Sequence, residues 1–326
     1  MPTVTPFSMN GHCLLSGFVD DVPIFVSAEG SVFLPTRNET VSVGDGVSSA
    51  TLSPDGQFIL TGGEDGRLCQ VQANGEMQEL ARLGKKWLTA VAIGPNKCFA
   101  TTSGRTIFAF DGKQSYEWQE TRSVEGLAFA PKGLRLGLAR YNGVSLHWLG
   151  TQATPQELEW KGAHHSLIFS PDGKFLVTSM QENALHGWRL ADEQHLRMSG
   201  YPAKVKSWSW SVKGHYLATS GAMTAVIWPF ITKDGPMGKA PLELGIRSNT
   251  MVTHVACHPL EDMVAIGYED GMILFARFSD HREILLRHPS QKSGAVAITA
   301  MGWNKQGLQL AFGSAGGECG LIDISA

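Results

Sequence analysis

The sequence predicts an all-β fold, a single closed β-propeller of four-stranded antiparallel blades. Three observations predict it: a turn motif that recurs along the chain, a constant hairpin length inside each copy, and a composition poor in charge and rich in glycine. Charged residues make up 17% of the 326, and 37 are glycine, a balance that suits short strands and tight turns better than long solvated helices. A chain of this length outgrows one hydrophobic core, so it must split into domains or repeat a small unit.

The repeat is visible in the turns. SPDG occurs from Ser53 to Gly56 and again from Ser170 to Gly173, each time before a strand-like run, QFILTGG and KFLVTSM. Weaker copies keep the frame: APKGLRLGLA from Ala130, SVKGHYLATS from Ser211, HPLEDMVAIG from His258 and NKQGLQLAFG from Asn304. The marker position falls at Pro54, Pro95, Pro131, Pro171, Val212, Pro259 and Lys305, at intervals of about 36 to 47 residues, the length of a four-stranded blade.

Inside each copy the spacing is tighter. A turn residue stands twelve positions after the marker at Gly66, Gly143, Asn183, Gly271 and Gly317, while the Pro95 copy reaches Gly104 in nine. Each copy opens with an apolar strand, such as VSSATLSP, VEGLAFAP or VTHVACHP, then turns and runs through a second and a third strand. The pattern is a meander. A further copy threads through GHCLLSGF at residues 11–18 and PIFVSAEGSVFLP with its turn at Gly30, so the count favours eight blades, with seven as the alternative. The last copy ends on a third strand, CGLIDIS, and the segment from Thr3 to Ser8 is expected to supply its outer strand, removing an exposed edge. The whole chain, 1–326, is expected to form one domain.

On these features the chain resembles the WD40 repeat family. The resemblance rests on the two SPDG turns, on the acids Asp65 and Asp270 before the second turn, and on Trp148, Trp188 and Trp228 closing third strands. It covers nearly the whole chain but is divergent: no tryptophan is followed by aspartate, and the family's Gly-His pair is not regularly placed. The family's His, Ser/Thr, Asp and Trp hydrogen-bond network is therefore not expected to be complete in any blade.

Charge and motifs narrow the function. A net charge of −3 gives no global attraction to nucleic acid. No apolar stretch approaches the roughly 20 residues that span a bilayer, and the opening MPTVTPFSMN does not read as a signal peptide. Five scattered cysteines, an odd number, suggest a reducing cytoplasmic setting. GPMGKAP lacks the spacing of a phosphate loop, and no G-x-S-x-G elbow occurs.

HVACHP brings His254, Cys257 and His258 together, and His12 lies beside Cys13 in another copy. Alternation along a strand places Cys257 opposite the two histidines, which favours buried cysteine and backbone-satisfied histidine over a local metal site. The second positions of the innermost strands, Ser48, Thr89, Glu125, His165, Lys206, Thr253 and Thr299, include one acid only, which is no carboxylate cage.

The resemblance implies that loops entering the innermost strands gather on one face. Lys85, Lys86, Trp87, Arg122, His164, His165, Tyr201, Lys204 and Lys206 would then form a basic and aromatic surface of the kind that carries interface energy. The alternative for Trp87 is space filling between blades. Two longer intervals follow Trp228 and Phe278, and Arg282, Arg287 and Lys292 add positive charge in the second. The expected function is a non-catalytic protein-protein interaction scaffold for an acidic or polar protein partner, without cofactor, metal, nucleic acid or membrane. The competing expectation is a metal-binding accessory protein or propeller enzyme that uses channel histidines.

Overall fold

The computed structural model describes residues 2–291 and 294–325, and nearly all of its regular structure is antiparallel strand. Every strand but Thr3–Ser8 pairs with a neighbour in sequence, as short connections dictate. Contacts divide the chain into two compact units, residues 1–42 with 201–326, and residues 43–200.

The first unit holds four sheets. Cys13–Val19, Val22–Ser27, Ser31–Leu34 and Glu39–Ser42 make one. Two more start at Trp208–Trp210 and Val252–Cys257. The fourth begins at Ile298–Trp303, and its outer strand is Thr3–Ser8, which pairs in register with Glu318–Asp323 from Thr3 opposite Asp323 to Ser8 opposite Glu318. The pairing is anchored by Phe7, which packs against Phe25 and Phe33 at ring separations of 6.3 and 6.2 Å.

The second unit holds a sheet that starts at Val47–Leu52, another that starts at Ala90–Ile93, and a six-stranded sheet from Val124–Phe129 to Gln194–Met198. Seven blades therefore result, not the favoured eight. Arg135–Trp148 and Gln156–Phe169 are each 14 residues long and run through the places where two repeat copies were expected to part, splicing those copies into one hydrogen-bonded sheet. Register shifts between Tyr141 and Gly143 and between His164 and Ser166 let each long strand bend without breaking.

The turn motif has a local cause. Ser53 Oγ accepts from the amides of Gln57 and Phe58 at 3.0 and 3.1 Å and donates to Asp55 at 2.6 Å, and Gly56 returns an amide to the Ser53 carbonyl with φ at +72°. Ser170 repeats the arrangement with Asp172 and Phe175. In the degenerate copies Ser211, His258 and Asn304 supply the acceptor instead. In these five copies the residue before the marker is thus an acceptor that closes the turn, whereas Gly94 and Ala130 offer no side-chain acceptor and their turns close through the backbone alone.

Most innermost strands open with a bulge, Ala90–Ile93 and Trp208–Trp210 being the exceptions. The register skips Ser48, Glu125, His165, Thr253 and Thr299, five of the second positions read from the sequence. Hydroxyls there bind carbonyls across the hairpin or on the adjacent sheet: Thr253 donates to Gly267, Thr299 to Cys13 and Ser48 to Leu88. Between sheets the side chains are apolar and fully buried, as with Ile107, Leu136 and Leu138 in the second unit and Ile227, Val264 and Ile266 in the first. Each such side chain contributes about 1.5–3 kcal/mol by leaving water.

Candidate interaction site

The loops that enter innermost strands occupy equivalent positions. In the second unit Leu88 donates its amide to Gly63, Val124 to Gly104 and Gln181 to the Ala163 carbonyl, so each loop lies beside the turn joining a second and third strand. In the first unit Ala203 donates to Gly221 in the same way. A Cβ at Gly66 would meet the Gly84 and Lys86 carbonyls, and one at Gly221 would meet those of Ala203 and Lys204, which is why glycine stands at both turns.

Within the second unit Lys85, Lys86 and Trp87 are exposed, and the Trp87 ring is 56% exposed rather than filling space between blades. Arg122 is exposed, donates to the Tyr141 carbonyl at 2.8 Å and stacks over the Tyr141 ring at 5.9 Å. His165 bonds Gln181 at 2.8 Å. In the first unit Lys206 is exposed and Lys204 is half-buried. Among the described residues Lys85, Lys86, Arg122 and Lys206 have no carboxylate within ion-pair distance.

Tyr201 and His164 do not belong to such a surface, which corrects the sequence expectation. Tyr201 is buried, receives the Trp228 Nε1–H at 2.6 Å and meets Thr219 Oγ1 at 2.7 Å; burial pushes its hydroxyl pKa up to about 12. His164 is fully buried between Thr178 Oγ1 at 2.7 Å and the Trp160 carbonyl at 3.0 Å, and burial holds its pKa below the ordinary value. Both residues are parts of the core.

The six-stranded sheet carries a cavity of about 520 Å³ lined by Arg122, Arg140, Tyr141, Asn142, Glu159, Trp160 and Lys161. Arg122 alone was legible in the sequence as a site residue. The others arrive from the long strands Arg135–Trp148 and Gln156–Phe169 where these bend. Tyr141 is 53% exposed, and neither Lys161 nor Glu159 has an ion-pair partner among the described residues. Arg140 is held by Glu157, and burial lowers its pKa.

Behind Arg140 the polar groups form a chain. Ser145 Oγ donates to Glu157 Oε1 at 2.8 Å and lies 3.0 Å from His147 Nε2, which is 3.1 Å from Glu120 Oε1; Trp118 Nε1 donates to the same oxygen at 2.9 Å. The His147 contact, above all, holds the Glu120 carboxyl below its usual pKa. Serine and carboxylate meet the same imidazole nitrogen, so the ring cannot relay a proton from one to the other, and Ser145 is buried. The chain is a brace for Arg140.

Among these cysteine and histidine positions His258 and Cys257 are satisfied individually, whereas the buried His254 Nδ1 has no hydrogen-bond partner among the described residues. His258 Nδ1 accepts from the amides of Leu260 and Glu261 at 3.3 and 3.1 Å, and Nε2 donates to the Gly307 carbonyl at 2.9 Å. Cys257 Sγ donates to the Ser209 carbonyl at 3.3 Å, and burial pushes its pKa up to about 12. Burial lowers the His254 pKa to about 4. For His12, burial and then the Lys206 charge lower it. Of the charged insertion, Arg282 meets Asp280 at 3.3 Å and Arg287 meets Glu318 at 2.7 Å, while Lys292 lies outside the described residues.

Four-stranded meanders with bulged inner strands and acceptor-closed turns define a protein of the β-propeller class. The profile of the WD domain, G-beta repeat, matches residues 39–70, and that of the anaphase-promoting complex subunit 4 WD40 domain matches residues 255–326. The chain is a divergent member of the WD40-repeat β-propeller family. Among solved structures, the RRP9 WD40 repeats share 15% identity at a TM-score of 0.62, over 85% of this chain and 94% of that one. The computationally designed Ika8 protein shares 19% identity at a TM-score of 0.74, over 97% of this chain and 98% of that one. No curated protein matches the sequence. Propellers of this family generally mediate protein-protein interaction and are typically non-catalytic.

Proposed function

We propose that this chain is a non-catalytic scaffold, a single closed propeller domain working in the cytoplasm, that binds an acidic protein partner through the loops entering its innermost strands. One observation carries the reading: in the second unit, exposed cations without carboxylate partners stand beside exposed aromatic rings, Lys85 and Lys86 beside Trp87, and Arg122 beside Tyr141. Unpaired cations with rigid rings are a surface prepared for a carboxylate-bearing partner, since the charges steer encounter and the rings supply contact area at low entropic cost. Lys204 and Lys206 extend the proposal to the first unit, and His165 to the second. Neither nucleic acid nor membrane is part of it.

Capture from lysate with wild-type protein and with a Lys86→Glu, Trp87→Ala, Arg122→Glu variant tests the reading. Loss of salt-sensitive partners at an unchanged Tm is the expected result. Capture of the same partners in equal yield by the variant overturns it.

A further inference from the structure

Next to the basic cavity lies a second one of about 300 Å³, lined by Glu157, Leu158, Glu159, Trp188, Glu193 and His195. Glu159 belongs to both linings, so the two hollows share a wall. Their charges oppose each other. Among the described residues Arg122 and Lys161 in the first have no ion-pair partner, whereas in the second only Glu157 is neutralised, by Arg140, and Glu193 meets nothing more than the Gln156 amide at 2.7 Å.

The wall of the second cavity holds a buried group short of an acceptor. Trp188 is 1% exposed and forms part of its wall, yet its Nε1–H has no partner among the described residues. A buried indole N–H left open is costly unless something completes it.

We propose that the paired cavities form one bipolar seat for a short extended segment of a partner protein. An acidic side chain of that segment occupies the Arg122 and Lys161 side, and a lysine or arginine close to it in sequence occupies the Glu159 and Glu193 side. Charge complementarity selects this occupant: a uniformly acidic segment would meet the carboxylates of the second hollow, and a uniformly basic one would meet the cations of the first. This deepens the scaffold reading above and rests on it, since it names the charge pattern that the partner presents.

The test uses fluorescein-labelled octapeptides binding to the full chain, read by anisotropy: one with a glutamate and a lysine in close succession, one with two glutamates, one with two lysines. The mixed peptide is expected to bind at least about tenfold more tightly than either other, the equivalent of about 1.4 kcal/mol. Lys161→Glu should abolish the advantage over the two-lysine peptide, and Glu193→Lys the advantage over the two-glutamate peptide. Both residues are exposed, so unchanged Tm values confirm intact folds. Equal binding of the mixed and two-glutamate peptides, or no binding of any, overturns the bipolar seat. The acidic-partner reading falls separately, by retained capture in the triple variant.

Discussion

Thr219 and Thr178 stand in matching strands of the two units, each with its hydroxyl near a carbonyl across the hairpin, Val226 at 2.8 Å and His186 at 3.0 Å. Around Thr219 every proton has a place: Trp228 donates to Tyr201, Tyr201 to Thr219, and Thr219 to Val226. Around Thr178 the count fails. His164 touches both Thr178 and the Trp160 carbonyl, so a neutral imidazole that donates to Trp160 requires the only Thr178 proton, which is then lost to His186. Trp188 is left without an acceptor. The same strand geometry therefore closes its polar groups around Thr219 and leaves them open around Thr178, although the first unit has open buried groups elsewhere, such as Trp210 Nε1 and His254 Nδ1. The cavities lie on the open side, which ties the candidate site to unfinished hydrogen bonding.

Replacing each tryptophan by phenylalanine should break the symmetry most. Trp228→Phe leaves the Tyr201 chain without its first donor, while Trp188→Phe removes a group that had no partner. Urea unfolding should show Trp228→Phe to be more destabilising by about 1–3 kcal/mol. Equal losses would mean that the two sites are equivalent after all.

Acid should act next. Burial, with the neighbouring His195, His164 and Arg197, lowers the His186 pKa to about 3. A histidine whose folded pKa is depressed takes up its proton on unfolding, so its contribution is complete above the unfolded value near 6.5 and falls away as pH drops from there towards 3. Unfolding midpoints between pH 7.5 and 5 should show a loss approaching about 1.4 kcal/mol per pH unit for this one group below the unfolded pKa, and His186→Asn should flatten the slope. An unaltered slope would place the pH response elsewhere. The smallest effect belongs to Arg37 and Glu39, an exposed pair at 2.8 Å, where Glu39→Gln should change stability by no more than about 0.5 kcal/mol.

The repeat was legible because its determinants are local. Ser53, Asp55 and Gly56 close a turn within a few residues, and so do Ser170, Asp172 and Gly173. The splice of two copies was hidden, since nothing in EWKGAHHS marks the strand as continuous and only pairing with Gly143 and Val144 on one side and Met180 on the other reveals it. Arg122 could be named from its loop, but Arg140, Tyr141, Trp160 and Lys161 join it only after the long strands bend. Tyr201 was misplaced for a related reason: its loop position suggested a surface, while a buried threonine and indole two strands away drew the hydroxyl inward.

The pairing of Thr3–Ser8 with Glu318–Asp323 carries a consequence for the order of synthesis. Thr3–Ser8 leaves the ribosome long before Glu318–Asp323, so its backbone must wait unpaired while the residues between them are made. Nascent chains stalled before residue 318 should therefore present that segment to chaperones or proteases, and emergence of Glu318–Asp323 should hide it.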